Sequence, residues 1–129
     1  MQKISSLLFA VVILFSCVSP HGNECEVLKE GTFRYLDDIG DPSSAFVIRN
    51  ETHMEYHEHM HYEIESLMVW KNDCEYELEM VRTNYEDFPF KTGDKIRITI
   101  DKVNGDTIYY TAKASDGSNW TSRVLKVGD

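Results

Sequence analysis

The residues best suited to chemistry lie in one run, His53 to Glu65, which reads HMEYHEHMHYEIE. His53, Glu55, His57, His59, His61, Glu63 and Glu65 all have odd positions. On an unbroken strand, side chains two apart share a face. Imidazole and carboxylate are ligands for zinc, copper or nickel. His57, His59 and His61 are therefore the expected metal set, at most a weak site because a single hairpin tip is open to water. The competing expectation is a solvated polar face, interrupted by a turn within Glu58 to His61.

Other chemistry finds little footing. No G-x-S-x-G elbow surrounds a serine, no Gly-rich phosphate loop is present, and carboxylates are too abundant in this acidic chain for any pair to stand out. His57-Glu58-His59 with Glu63 four residues on resembles part of the first cupin motif. That resemblance stops there. Glu51 and Trp70 replace the flanking glycines, and no His follows His61 to supply the second motif. The chain reads as a non-enzyme without a required cofactor.

The elements that must position these residues are strands. Trp70 to Met80 (WKNDCEYELEM) ends one strand, turns at Asn72-Asp73 and starts another. Cys74, Tyr76, Leu78 and Met80 then alternate with Glu75, Glu77 and Glu79, so the first set is expected inside and the carboxylates outside. Further strands are expected at Thr32 to Leu36, Ala45 to Arg49, Thr52 to His57, Tyr62 to Trp70, Lys95 to Val103, Thr107 to Ala114 and Trp120 to Val127, with Asn104-Gly105 as a hairpin signal. Short connections make neighbours in sequence neighbours in space. The expected fold is all-β: an antiparallel meander of about eight strands forming a small closed or half-open barrel, lipocalin-like in outline, with a two-sheet sandwich as the alternative. Phe33, Trp70, Tyr76, Tyr110 and Trp120 either fill the interior or line it and grip an apolar ligand. Tyr85, Phe88 and Phe90, in the longest loop, are expected to cover an open end or line an entrance.

The N-terminus carries an address. Lys3 precedes an apolar run from Ile4 to Phe15, too short to span a bilayer core of about 30 Å. Residues 1–16 are thus expected to be a signal-peptide helix. Leu14-Phe15-Ser16-Cys17 resembles the lipobox of bacterial lipoproteins. The resemblance implies cleavage before Cys17, acyl chains on Cys17 and, with Val18 next, anchoring in the outer membrane. Residues 17–24 would be a disordered lipidated tether and 25–129 a single domain, with at most a short turn near Cys25. There are three cysteines, an odd number for an exported chain. With Cys17 lipidated, Cys25 and Cys74 remain to pair in an oxidising compartment, or stay as free buried thiols.

All 22 acidic residues and all but one of the 13 basic residues follow Cys17, a formal charge of about −10 for that part. Such a surface repels phosphate backbones, so nucleic acid is not an expected partner. Beyond the membrane reached through lipid, no protein or small-molecule partner is legible, and the expected state is a monomer. Cys25 ahead of Gly31-Thr32-Phe33, Val47-Ile48-Arg49 with Glu55 beyond, and the block Trp70-Lys71-Asn72-Asp73-Cys74-Glu75-Tyr76 together resemble a family of small bacterial lipoproteins sharing a W-x-N-D-C-E-Y block. That resemblance implies export and a β-rich fold, and it implies no activity. Three functions stay open: a binding or structural lipoprotein of the cell envelope, a periplasmic or surface metal binder, and a carrier of small apolar molecules.

Overall fold

The structure, a computed structural model, describes residues 20–38 and 40–129; the expected signal segment, Cys17 and Ile39 lie outside the described residues. A short helix α1 (Gly22–Cys25) and a 3-10 turn (Glu26–Leu28) lead into eight strands. These are β1 (Gly31–Tyr35), β2 (Ala45–Arg49), β3 (Thr52–His57), β4 (Tyr62–Asn72), β5 (Glu75–Thr83), β6 (Lys95–Asn104), β7 (Thr107–Ala114) and β8 (Asn119–Gly128). Each strand pairs antiparallel with the next, and β8 returns to β1, closing the barrel. Closure leaves no strand edge to protect among the described residues.

Period-two alternation builds the wall as expected. On β5, Tyr76 and Met80 are buried and Leu78 half-buried, while Glu75 and Glu77 point outward to basic residues of β6 and β4. Ile98 and Ile100 of β6 and Ile108, Tyr110, Ala112 and Ala114 of β7 face the core. The β6–β7 turn consists of Gly105 and Asp106, since Asn104 pairs with Thr107; it sits one residue later than the Asn104-Gly105 signal.

The two ends of the barrel differ. One end is plugged by α1 and the 3-10 turn. Cys25 and Leu28 are fully buried there beside Phe33, Ile48, Met68, Ile100, Ile108 and Val124. Burying a side chain such as Leu28 contributes roughly 1.5–3 kcal/mol. The Cys25–Cys74 disulfide, Cα–Cα 5.3 Å, pins the plug to the β4–β5 turn. Lys126, which points inward from β8, donates to the Val27 carbonyl at 3.1 Å and lies over the Phe33 ring. Two glycines permit this approach. A Cβ on Gly22 would meet the Asp73 side chain, and Gly31, at φ +137°, would bring one to 2.8 Å from the Gly128 carbonyl.

The expectation of disorder up to Glu24 is corrected for residues 20–24. Helix α1 begins at Gly22, and the carbonyls of Pro20 and His21 lie 3.8 Å from Cys74 Sγ. The same contacts that bury the disulfide order the chain before it.

Candidate ligand-binding site

The opposite end is formed by the β1–β2 loop, the β3–β4 turn, the β5–β6 loop and the β7–β8 turn. Its chemistry is set by a register. Asn50 and Glu51, both at positive φ, make the two-residue β2–β3 turn, so Ile48 pairs with His53 and Phe46 with Glu55. Directly paired residues share a face. Ile48 and Phe46 face the core, so His53 and Glu55 do too. His53 is 4% exposed and stacks on Phe46 with ring centroids 4.4 Å apart. The expectation of a solvated His and Glu face is therefore overturned for β3, whose polar set lines the barrel interior.

A hydrogen-bonded chain runs inward from the mouth. Tyr35 donates to Glu55 Oε1 at 2.5 Å. His57 Nε2 lies 3.3 Å from the same oxygen, and His57 Nδ1 lies 2.7 Å from Ser44 Oγ. Ser44 Oγ lies 2.6 Å from Asp38 Oδ2 and 3.1 Å from Asp41 Oδ2. An imidazolium at His57 would pair with Glu55 through Nε2 and donate from Nδ1 to Ser44, whose hydroxyl then donates to Asp38.

The electrostatics agree. The hydrogen bond to Glu55 raises the His57 pKa; burial opposes this, and the charges of Glu55, Asp38 and Asp41 reinforce it. Burial pushes His53 down, leaving it neutral at pH 7. Burial alone would raise Glu55, yet the His57 bond, the neighbouring imidazoles and Tyr35 hold it below its ordinary value. Burial, then the charge of Glu55, pushes Tyr35 well up, and Tyr110 is pushed up to about 12, chiefly by burial. Asp41 falls well below the carboxylate range because the Glu58 N–H and the Ser43 hydroxyl donate to it.

The expected metal set is not assembled. Glu58, His59 and Met60 all have positive φ, and this turn reverses the chain between His57 and His61. Among the described residues, the one group of three or more candidate ligands converging within 4.8 Å is Asp38, Asp41 and His57. His59 and His61 are exposed on the turn. The fully buried Ser44 hydroxyl already bridges Asp38, Asp41 and His57, so a cation entering there must displace it. Ser44 and His57 do not make a nucleophilic pair either, because no substrate can reach a serine with no exposed surface. Glu63 and Glu65 point outward and meet Arg82.

Inside the barrel, a cavity of about 120 Å³ is walled by His53, Glu55 and the rings of Tyr35, Tyr76, Tyr110 and Trp120. A mouth cavity of about 340 Å³ shares Tyr35, Glu55, Tyr110 and Trp120 with it and adds Asp38 and His57. Aromatic side chains follow the rim: Tyr62 to Tyr85 at 4.4 Å, Phe88 to Phe90 at 5.5 Å, and Phe90 to Trp120 at 6.3 Å. The loop aromatics Tyr85 and Phe88 line a groove of about 610 Å³ over the β3–β4 turn. Of the expected interior aromatics, Phe33 is packed solid at the plugged end, whereas Tyr76, Tyr110 and Trp120 border empty space. Sequence reasoning missed Tyr35, Ser44, Asp38 and Asp41 as site residues.

No family model matches this chain, and neither a curated protein nor a solved structure shows a significant match to it.

Proposed function

We propose that this chain is an exported, lipid-anchored barrel of the bacterial cell envelope that binds a small molecule at its open end and catalyses no reaction. One observation carries the binding reading: the cavities that reach the barrel interior open away from the disulfide-pinned plug. The anchoring reading rests on the Leu14 to Cys17 lipobox resemblance. It is supported by the position of Pro20, three residues after Cys17, whose carbonyl lies 3.8 Å from Cys74 Sγ at the plugged end. A lipid there would hold the plug towards the outer membrane and aim the mouth away from it.

An inner cavity of about 120 Å³ is smaller than the roughly 300–1,000 Å³ of ordinary ligand pockets. It also contains an ionised carboxylate. Both points argue against a carrier of apolar molecules and favour a ligand whose polar head enters while its remainder stays in the mouth.

Mass spectrometry of the membrane fraction tests the anchor. Acylated Cys17, lost in Cys17→Ser with release of the chain, is the expected result; an unmodified Cys17 overturns it. Emission from Trp120, at the rim, should shift with bound ligand in a Trp70→Phe background. Its insensitivity to a broad small-molecule set would count against the binding reading.

A further inference from the structure

We propose that the ligand of the open end is a small organic cation whose ammonium head sits against Glu55, inside the barrel. This rests on the reading of that end as a binding site and names the class of molecule it takes.

Three observations converge. First, Glu55 lines both the inner cavity and the mouth, and its bonds from Tyr35 and His57 both fall on Oε1, which leaves Oε2 for a ligand. Second, five aromatic rings line the inner cavity, Tyr35, Phe46, Tyr76, Tyr110 and Trp120, beside His53 and the aliphatic Leu78, Ile96 and Ile98. The negative face of a ring attracts a cation, and several rings around one carboxylate make a cage for an ammonium group. Third, the local charge is unbalanced. Asp38, Asp41 and Glu55 surround the single imidazole of His57, and among the described residues no Lys or Arg lines either cavity. Arg123, the nearby guanidinium, is held by Asp37 at 2.7 Å. The net charge of −9 acts in the same direction, drawing cations and repelling anions.

The dimensions fit a head and a tail. About 120 Å³ takes an ammonium or methylated ammonium head, and the 340 Å³ mouth takes an attached hydrocarbon or ring against Trp120 and Tyr110.

Calorimetry on the full mature chain at pH 7 tests this with four probes: tetramethylammonium, 2-phenylethylammonium, 2-phenylethanol and phenylacetate. The expected result is that 2-phenylethylammonium binds at least tenfold tighter than 2-phenylethanol, that tetramethylammonium binds, and that phenylacetate does not. Glu55→Gln, which keeps an acceptor for Tyr35, should lose at least tenfold for both cations. Trp120→Ala, at a rim position that is 39% exposed, gives a second readout should the first variant fold poorly; a loss of at least fivefold for the cations is expected. Alcohol binding equal to the amine, or cation affinity unchanged in the variants, overturns the cation assignment and leaves the binding site standing. Failure of all four probes overturns both.

Discussion

Tyr35 on β1 bonds Glu55 on β3 at 2.5 Å, across the intervening strand β2. Two strands that do not pair with each other are thereby joined through the barrel interior. The bond satisfies a half-buried phenol and one oxygen of a half-buried carboxylate at once. Tyr35→Phe keeps the ring against Phe46 and removes only the donor. A hydrogen bond to a charged partner contributes about 1.5–3 kcal/mol. The variant should lose about that much stability by urea unfolding, and the Glu55 carboxyl should titrate higher. Unfolding midpoints that coincide would show that the bond contributes nothing.

His53 and His57 lie four residues apart on one strand, and their surroundings push them in opposite directions. The folded pKa of His57 is raised, so its stabilisation is complete below the unfolded value of about 6.5 and is lost as pH rises through the folded value. The folded pKa of His53 is lowered, so the unfolded chain takes up the proton first. The contribution of His53 therefore turns against folding as pH falls below about 6.5. The partners facing His57 are Glu55, Asp38 and Asp41, with Ser44 between. Imidazole NMR should show one resonance titrating above the ordinary value and one below, assigned by His57→Gln and His53→Gln. In unfolding measured from pH 5 to 8, His57→Gln should flatten the decline at the alkaline side and His53→Gln the decline at the acid side. Profiles parallel to that of the parent chain would contradict both assignments.

The wall of the barrel is written in period two, and its polar interior is not. Ile96, Ile98 and Ile100 mark β6, and Tyr76, Leu78 and Met80 mark β5, because apolar alternation on one face is what a half-buried strand requires. Strand β3 inverts the rule: His53, Glu55 and His57 face in, while Met54 and Tyr56 take the outer face. Hydropathy alone assigns that strand backwards. A register argument does better. Two residues, Asn50 and Glu51, separate β2 from β3, so the inward Ile48 and Phe46 dictate that His53 and Glu55 point inward. The Asp38–Ser44–His57 cluster had no such signal, since it depends on how the β1–β2 loop folds over the mouth. The disulfide was legible from cysteine count; the plug it holds was not, because α1 and the 3-10 turn are too short for any helical period to appear.

The plug depends on its covalent tie. Cys25 and Cys74 are 49 residues apart, and closing such a loop contributes about 4 kcal/mol in the chain-entropy model. Cys25→Ser/Cys74→Ser should lose about that much by urea unfolding. It should also expose residues 20–28 to protease before the barrel itself is cut, because strand pairing around the closed sheet does not involve them. Simultaneous cleavage of plug and barrel would mean that the plug is part of the cooperative core.

The β3–β4 turn stores strain at the mouth. Glu58, His59 and Met60 hold φ of 50°, 54° and 71°, a left-handed conformation that costs an L-residue roughly 1–2 kcal/mol each. The turn is clamped from outside: Asp41 accepts from the Glu58 N–H at 2.7 Å, Ser43 Oγ from the His59 N–H at 2.8 Å, and the Asn84 side chain bonds both Glu63 and His61. Met60 is 65% exposed, so little packing is lost on replacing it. Met60→Gly removes the Cβ conflict but adds backbone freedom to the unfolded chain, and the net gain should be about 0.5–1 kcal/mol. For a domain of this size that is a rise of roughly 2–8 °C in the melting temperature. Met60→Val, β-branched at the same φ, should shift it the other way. If the clamp is what holds the strain, Asp41→Ala should destabilise the parent chain less than it destabilises Met60→Gly, because the parent turn recovers strain on release; equal losses in the two backgrounds would separate the clamp from the strain.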